Sequence, residues 1–309
     1  MEDTNKTVRG QILNIQHFCV DDGPGIRTTV FFKGCPLRCA WCHNPETYER
    51  GIEIMYRPDR CRGCLACVAV CPTGAHRAQD GVHTLDRTDC IRCGACATVC
   101  TPNALERAGN EMSVGEILRD VLSDRIFYET SNGGVTLSGG EPTAQPDLAV
   151  AILEGLRREG IHTAMETSGV CSPEVLDSLI PLVDLFLLDW KHSDEEMHKK
   201  YTGVSNHRVR ETLARLEACG ASVHLRCPLI PGVNDTEAHI EGIAILANSH
   251  TCIQKIDLEP YHPLGVGKAE AIGKSLAYQN TEFMDNSRAE EILSALSARV
   301  HIPVHLSGK

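Results

Sequence analysis

Eight cysteines in two runs restrict the possible folds of this chain more than any other feature of its sequence. Both runs have the spacing C-x2-C-x2-C-x3-C, and the second run, which begins at Cys90, repeats the first, which begins at Cys61. Sets of soft thiolates favour iron–sulfur clusters, whereas zinc ribbons use cysteines in pairs. Residues 53–107 also show little helical periodicity. We therefore expect metal, rather than a hydrophobic core, to hold this segment together.

The paired runs indicate two 4Fe–4S clusters. In two-cluster ferredoxins, the fourth cysteine of each run binds the cluster of the other run. By that rule one cluster is held by Cys61, Cys64, Cys67 and Cys100, and the other by Cys71, Cys90, Cys93 and Cys96. The second run departs slightly from the ferredoxin pattern, because Thr101 stands where the first run has Pro72. This difference alters one turn and leaves the number of ligands unchanged.

A separate set of cysteines, Cys35, Cys39 and Cys42, has the spacing C-x3-C-x2-C and follows an apolar, strand-like run at residues 28–33. Three thiolates can hold three irons of a 4Fe–4S cube, which leaves the fourth iron without a protein ligand. An open iron is useful only if another molecule binds it. This spacing is typical of radical S-adenosylmethionine (SAM) enzymes, in which the amino and carboxylate groups of SAM bind that iron.

The other five cysteines follow no spacing and are interpreted as reduced thiols in the core: Cys19, Cys171, Cys219, Cys227 and Cys252. Disulfides are not expected, because clusters of this kind belong in a reducing compartment. No apolar run approaches the roughly 20 residues that span a bilayer, and the first five residues contain no signal segment. The formal charge of −11 argues against a nucleic-acid partner. We expect a monomeric, cytoplasmic protein with no membrane partner.

Outside residues 53–107, short apolar segments alternate with amphipathic ones. Strands are predicted at residues 30–33, 134–138, 162–166, 185–189, 223–228 and 255–258. Helices are predicted to begin near Ser113, Ser172, Ser193 and Asn206, which have side chains suited to N-caps, and the last of them to end near Gly220. Because these units show no hairpin signals, we expect an α/β fold. Its parallel sheet should form a partial (β/α)6 TIM-like barrel with the cysteine-rich segment inserted.

Polar motifs follow the predicted strands, at the edge where such barrels carry their chemistry. The candidates are Gly139, Gly140 and Glu141 after the second strand, Glu166 after the third, Asp189 and Lys191 after the fourth, and His262 after the sixth. Paired glycines allow a ligand to approach the backbone closely. A simple turn, a structural ion pair between Asp189 and Lys191, and a histidine without a function are the alternative interpretations.

Taken together, these motifs resemble those of the glycyl radical enzyme activating enzymes, a group of radical SAM proteins. The resemblance extends through nearly the whole chain and rests on residues 22–27, 34–46, 133–142, 188–191, 201–206 and 260–265. The cysteine-rich segment resembles that of the subgroup serving dehydratases, decarboxylases and C–N or C–S lyases. The resemblance implies that residues 1–52 and 108–309 form the radical SAM core and residues 53–107 a ferredoxin-like insert, with three 4Fe–4S clusters in all.

The resemblance also implies roles for individual residues. A reduced cluster on Cys35, Cys39 and Cys42 gives one electron to SAM, and the 5′-deoxyadenosyl radical so formed removes a Cα hydrogen from a glycine of a partner glycyl radical enzyme. SAM is expected to contact Gly139, Gly140, Glu141, Glu166, Asp189, Lys191 and His262. The partner peptide is expected to lie against Asp22, Gly23, Pro24, Gly25 and Arg27. Glu166 aligns with an aspartate that helps to hold a monovalent cation in a known activase. Because this chain has a glutamate there, the resemblance does not decide whether the cation site is retained.

A flavodoxin or a ferredoxin is the expected electron donor, and the two insert clusters either relay its electrons or serve a structural role. Two other functions stay open. One is a radical SAM enzyme that acts on a small molecule or a peptide side chain, which leaves residues 22–27 without a role. The other is a pure electron-transfer protein, which leaves Cys35, Cys39 and Cys42 without one.

Overall fold

The structure, a computed structural model, describes residues 7–79 and 82–307. The first six residues, for which no signal segment is predicted, lie outside the described residues, as do residues 80–81 and 308–309. The strands in the described ranges are β1 (Arg9–Cys19), β2 (Arg27–Phe32), β3 (Glu53–Tyr56), β4 (His76–Gln79), β5 (Val82–Leu85), β6 (Leu105–Ala108), β7 (Asn110–Ser113), β8 (Gly134–Gly139), β9 (His162–Thr167), β10 (Leu185–Asp189), β11 (Val223–Leu229), β12 (Ile253–Pro260) and β13 (Val304–Leu306). The helices there are α1 (Ala66–Val70), α2 (Ala95–Val99), α3 (Val114–Val121), α4 (Arg125–Ser131), α5 (Pro146–Arg158), α6 (Pro173–Leu179), α7 (Glu195–Thr202), α8 (His207–Ala218), α9 (Glu237–Ser249), α10 (Leu264–Ala271) and α11 (Asn286–Ser297).

Nine of the described strands form one sheet, in the order β13-β12-β11-β10-β9-β8-β2-β1-β7. All neighbouring strands from β13 to β2 in that order are parallel, whereas β1 is antiparallel to both β2 and β7. The six predicted strands are confirmed as β2 and β8 to β12, and β2 begins earlier than predicted, at Arg27. The predicted parallel arrangement of these six strands is confirmed, whereas β1, which was not predicted, adds an antiparallel neighbour to β2. A loop as short as residues 20–26 permits an antiparallel pair, whereas parallel neighbours need a long crossover.

The helices that connect the parallel strands bury one apolar face against the sheet. In α5, the side chains of Ile152, Leu153 and Leu156 are fully buried, and each contributes roughly 1.5–3 kcal/mol relative to an exposed position. Because all these strands point the same way, the carboxyl ends of β2 and β8 to β12 lie along one edge of the sheet. Among the described helices, none has the length and apolar character needed to cross a membrane.

The four predicted helices begin close to the expected residues, but two of the expected N-cap side chains do not cap them. Ser113 forms a capping box with Glu116, and Ser172 Oγ accepts a hydrogen bond from the backbone N–H of Val175. At α7, however, the cap is Asp194, because Ser193 Oγ instead accepts a hydrogen bond from Trp190 Nε1 at 3.1 Å. Asn206 precedes α8 but does not cap it, since its amide donates to the backbone oxygens of residues 192 and 193.

The cysteine-rich segment, residues 53–107, leaves the nine-stranded sheet after β2 and returns before β7. We call this sheet and the helices packed on it the barrel. The first and last strands of the segment, β3 and β6, pair antiparallel, with Glu53 opposite Ala108. Between them lie the five-residue helices α1 and α2 and the hairpin of β4 and β5. Arg87 links the segment to the barrel, because its guanidinium donates to the backbone oxygens of Ile54 at 2.8 Å and Ala271 at 2.6 Å.

Candidate active site and cysteine groups

A cavity of about 380 Å³ opens at the carboxyl ends of the parallel strands, and we call it the strand-end cavity. Ten of the predicted site residues line it: Asp22, Cys35, Cys39, Cys42, Gly139, Gly140, Glu166, Asp189, Lys191 and His262. Glu141, Gly23, Pro24, Gly25 and Arg27 do not line it. The parallel register therefore brings together most of the residues that are far apart in the sequence.

The loop that carries Cys35, Cys39 and Cys42 is anchored to α7. Backbone N–H groups of Arg38 and Ala40 donate to the end of α7, each at 2.8 Å. Burial raises the pKa of the Cys39 thiol to about 12, and Lys191 only partly opposes this increase. Metal ligation requires thiolates. Three sulfurs held this way need added positive charge in the cavity, which a metal cluster supplies.

The glycines that end β8 allow two backbone segments to approach each other. Gly139 has a φ of +108°, and a Cβ there would lie 2.4 Å from the Phe32 backbone nitrogen. A Cβ at Gly140 would lie 2.4 Å from the Gly34 carbonyl oxygen. Side chains at these two positions would therefore displace the loop that leads to Cys35.

Glu141 does not point into the strand-end cavity, contrary to the expected SAM contact. Its carboxylate accepts hydrogen bonds from the backbone N–H and the hydroxyl of Ser168, at 2.8 and 2.6 Å, and from Thr167 Oγ1 at 2.9 Å. Its side chain is almost completely buried, and burial raises the pKa of this carboxyl. Glu141 thus ties the end of β8 to the end of β9 and acts on the cavity through the backbone.

Asp189 and Lys191 form an ion pair at the end of β10, with Nζ 2.8 Å from Oδ2. Burial by itself lowers the pKa of Lys191, but Asp189 and then Cys39 outweigh it and raise that pKa overall. Both side chains line the strand-end cavity. Lys191 is therefore a fixed positive charge close to the cysteine loop.

Sequence reasoning missed a buried arginine in the middle of this cavity. The guanidinium of Arg226, in β11, lies 3.6 Å from carboxylate oxygens of both Asp22 and Glu166 and bonds directly to Glu259 of β12. Burial raises the pKa of Glu259 to about 7, since Arg226 only partly compensates for the lost hydration. The signal in the sequence was Arg226 itself, a charged residue between Leu225 and Cys227 in a mainly apolar strand.

Two histidines stack at one side of the cavity, and only His262 was predicted. The rings of His43 and His262 have centroids 3.8 Å apart and an interplanar angle of 22°. His43 Nε2 and His262 Nδ1 are buried, and neither has a hydrogen-bond partner among the described residues. Burial, and then His262, lower the pKa of His43 to about 3, so this ring is neutral. These ring nitrogens are available to a bound molecule.

The predicted peptide-binding loop is divided between surface and interior. Pro24 is exposed, whereas Arg27 is fully buried. The Arg27 guanidinium donates to Thr136 Oγ1 at 2.7 Å and to the backbone oxygens of Val135 and Pro24, at 2.8 and 3.1 Å. The expected direct contact of Arg27 with a peptide is therefore wrong, because this side chain faces β8. Arg27 therefore stabilises the loop through its hydrogen bonds to β8 and to the Pro24 carbonyl oxygen.

The eight cysteines of residues 53–107 form two spatial groups that match the predicted sets. The first cysteine group, Cys61, Cys64, Cys67 and Cys100, surrounds one small cavity. The second cysteine group, Cys71, Cys90, Cys93 and Cys96, surrounds another. The fourth cysteine of each run thus lies with the other run. Cys90 also lines a cavity shared with residues 272–274 of the barrel, so the second group lies on the side of the segment that faces the barrel.

The five remaining cysteines differ in exposure. Cys19, Cys227 and Cys252 are buried as predicted, and Cys171 is half-buried. Cys219 is exposed, because it follows the end of α8, so its assignment to the core is wrong.

Comparisons with known proteins agree with this geometry. The model of the radical SAM superfamily matches residues 87–241, and that of the 4Fe-4S dicluster domain matches residues 53–101. The chain is 44% identical over 300 residues to the benzylsuccinate synthase activating enzyme of Thauera aromatica, covering 93% of this chain and 90% of that one. It is also 44% identical over 271 residues to the isethionate sulfite-lyase activating enzyme of Nitratidesulfovibrio vulgaris, covering 85% and 88%.

A solved structure supports the fold. The radical SAM methyltransferase of Sphaerobacter thermophilus superposes with a TM-score of 0.52 at 17% identity, covering 91% of this chain and 66% of that one. The identity to the activating enzymes over most of the chain is high enough to define the family. The chain belongs to the radical SAM family of glycyl radical enzyme activating enzymes.

Proposed function

We propose that this activating enzyme binds SAM in the strand-end cavity, beside a 4Fe–4S cluster held by Cys35, Cys39 and Cys42. One observation carries the proposal: three thiols, a glycine pair and the buried ions line a single cavity of about 380 Å³. When bound, the cluster supplies the electron that cleaves SAM to methionine and a 5′-deoxyadenosyl radical, which takes a Cα hydrogen from a glycine of the partner enzyme. The chain itself positions both molecules and excludes water.

The charges of the cavity favour a cationic cosubstrate. Four carboxylates, those of Asp22, Glu166, Asp189 and Glu259, face three cations: Lys191, Arg226 and Lys268, the last of which is also paired with Glu46 at 3.0 Å. The excess of negative charge complements the sulfonium and ammonium groups of SAM, while Lys191 and Arg226 are the candidates to bind its carboxylate. His43 and His262 offer their unpartnered ring nitrogens to the polar edges of the nucleoside. Gly139 and Gly140 keep the backbone accessible at the end of β8.

We assign the expected cation site only in part. Glu166 lies in this cavity but contacts Arg226 at 3.6 Å and bonds to the hydroxyl of Ser138. The guanidinium already places a positive charge beside this carboxylate. The positive charge of Arg226 thus already neutralises part of the negative charge that a monovalent cation between Glu166 and Asp189 would neutralise.

The partner peptide is proposed to approach over the loop at residues 22–25. Asp22 lines the strand-end cavity and its carboxylate accepts a hydrogen bond from Thr29 Oγ1 at 2.6 Å. The loop conformation depends on Gly25, where a Cβ would lie 2.5 Å from the Ser131 carbonyl oxygen. A rigid loop at the mouth of the cavity gives an incoming glycine a fixed path to it.

Residues 53–107 are proposed to form a ferredoxin-like insert within a radical SAM core of residues 1–52 and 108–309. Each cysteine group offers four thiols around a small cavity, which suits one 4Fe–4S cluster and gives three clusters in all. The second group lies toward the barrel, so electrons from a flavodoxin or ferredoxin would pass through the first group and then the second. Clusters of this kind favour a reducing compartment, and we propose that the enzyme acts in the cytoplasm as a monomer.

The test is a Cys39→Ala variant reconstituted with iron and sulfide under anaerobic conditions. We expect the wild type to bind about twelve irons per chain and the variant about eight. With dithionite as reductant, the variant should form no 5′-deoxyadenosine from SAM. Cys219→Ala, a change at an exposed cysteine, is the matched control and should behave as the wild type does. SAM cleavage by Cys39→Ala at the wild-type rate would disprove the assignment.

A further inference from the structure

Two buried histidines of the hairpin formed by β4 and β5 touch each other between the cysteine groups. His76 Nδ1 lies 2.8 Å from His83 Nε2, within hydrogen-bond distance. Their rings are nearly parallel, with an interplanar angle of 21°. Tyr56 packs its ring against the edge of His83, which keeps that imidazole in place. Neither histidine has a role in the function proposed above.

Each imidazole belongs to a different cysteine group. His83 lines the cavity of the first group, with Nε2 3.4 Å from Cys67 Sγ and Nδ1 4.0 Å from Cys61 Sγ. His76 lines the cavity of the second group, and its backbone N–H donates to the sulfur of Cys71. The two rings therefore connect the surroundings of one group to those of the other.

The geometry gives His83 a donor to the first group in either neutral tautomer. With the proton on Nε2, His83 faces both Cys67 Sγ and His76 Nδ1 with that N–H. With the proton on Nδ1, the N–H faces Cys61 Sγ, and His76 donates to Nε2. Since a neutral imidazole always carries one N–H, that N–H faces a cysteine sulfur of this group in both cases: Cys67 Sγ at 3.4 Å, where His76 Nδ1 shares it, or Cys61 Sγ at 4.0 Å, where it is unshared.

The second run of the repeat keeps the backbone contact and lacks the imidazoles. Leu105 and Met112 stand 29 positions after His76 and His83, the same offset that separates Cys90 from Cys61. The Leu105 N–H still donates to Cys100 Sγ at 3.3 Å, as that of His76 does to Cys71. The second group has its own weaker donors, Thr73 Oγ1 at 3.7 Å from Cys71 Sγ and the Arg92 N–H at 3.4 Å from Cys90 Sγ. The two groups thus differ in their side-chain donors: the His83 imidazole approaches two sulfurs of the first group, whereas the Thr73 hydroxyl approaches one sulfur of the second.

We propose that His83, oriented by His76, raises the reduction potential of the cluster in the first cysteine group above that of the cluster in the second. This inference rests on the proposed function, because it requires both clusters. One electron from a reductant takes the cluster from the 2+ to the 1+ state; no bond breaks and His83 keeps its proton. A hydrogen bond to a cluster sulfur stabilises the more negative, reduced state. The first cluster is thereby the more readily reduced of the two, and both histidines are positioning residues.

The experiment is a redox titration of the reconstituted full chain, followed by electron paramagnetic resonance. The Cys64→Ala variant, which lacks the first cluster, identifies the signal of that cluster. In His83→Leu, we expect the midpoint potential of the first cluster to become more negative while those of the other two clusters stay unchanged. His83→Gln retains an N–H donor and should recover most of the shift. His76→Leu should give a smaller shift in the same direction, and the exposed His207→Leu none.

The possible outcomes separate this inference from the proposed function. Iron near four per wild-type chain would disprove the three-cluster assignment itself. With about twelve irons bound, an unchanged potential in His83→Leu would overturn the inference. Equal shifts in the Leu and Gln variants would do so too, because they would indicate packing rather than a hydrogen bond. If His83→Leu loses the first cluster, His83→Gln and His76→Leu decide: a wild-type potential in His76→Leu overturns the role of the pair.

Discussion

The barrel and the cysteine-rich segment are stabilised in different ways. The barrel buries a continuous apolar core in which side chains such as Phe32, Leu137 and Phe186 are fully enclosed. Among the described residues of the segment, the principal core consists of Ile54, Leu105 and two cysteines. The small core cannot offset the entropy of ordering roughly fifty residues. The barrel should therefore fold by hydrophobic burial and the segment by binding metal.

The largest expected effect of this difference follows removal of iron. After treatment with a chelator under anaerobic conditions, we expect amides of α1 and α2 to exchange at rates close to those of an unfolded chain, because metal binding supplies most of the folding energy of such a segment. Amides of β8 to β11 should keep their protection. Hydrogen exchange followed by mass spectrometry measures both regions in one sample. If the amides of α1 and α2 stay protected from exchange without iron, the segment does not depend on metal for its folding.

The second effect concerns electron transfer. Because the second cysteine group lies toward the barrel, Cys93→Ala should slow activation of the partner enzyme far more with a flavodoxin or ferredoxin than with dithionite, which reaches the barrel directly. Cys219→Ala serves as the control. The measurement is the rate of glycyl radical formation with each reductant. Equal losses with both reductants would leave the segment a structural or docking role.

The third effect is on the stability of the barrel. Leu188 of β10 is fully buried, so Leu188→Ala should lower the free energy of unfolding by about 2–5 kcal/mol. Ile245 of α9 is 61% exposed, and Ile245→Ala should change it by less than about 0.5 kcal/mol. Chemical denaturation gives both values. Iron content should stay at the wild-type value in both variants, and a loss of segment iron in Leu188→Ala would show that the two regions fold as one.

The smallest effect is a pH dependence of SAM binding. The pKa of Glu259 is raised to about 7 by burial, so this carboxyl loses its charge as the pH falls through that value. The cavity then becomes less negative, and SAM should bind several-fold more weakly at about pH 6 than at about pH 8. The stability of the folded chain without SAM depends on pH in the opposite direction. The folded state binds the Glu259 proton more tightly than the unfolded state does, so the contribution of Glu259 to the free energy of unfolding decreases as the pH rises from the ordinary pKa of a glutamate towards 7. Calorimetric titration with SAM measures the binding, and Glu259→Gln should remove its pH dependence. The same pH dependence in that variant would exclude Glu259 as its source.

The sequence revealed most of the site because chemistry at strand ends leaves local patterns. Cysteine spacing and glycine pairs are adjacent in the chain, and the parallel sheet then brings them together without further information. Arg226 and Glu259 were missed because no local pattern joins them: the register pairs Arg226 with Asp257, and only the folded structure shows that its guanidinium bonds to Glu259. The directions of Glu141 and Arg27 also could not be predicted, since each depends on hydrogen-bond partners from other strands and loops.

The pairing of β3 with β6 has a consequence for how such a chain can change over time. Because Glu53 and Ala108 are opposite each other in an antiparallel pair, their Cα atoms are about 5 Å apart. A stretch of chain that departs and returns at one point can be lengthened, shortened or removed with little change to the strands on either side. This geometry would allow a gene to acquire or lose the cysteine-rich segment without redesigning the barrel.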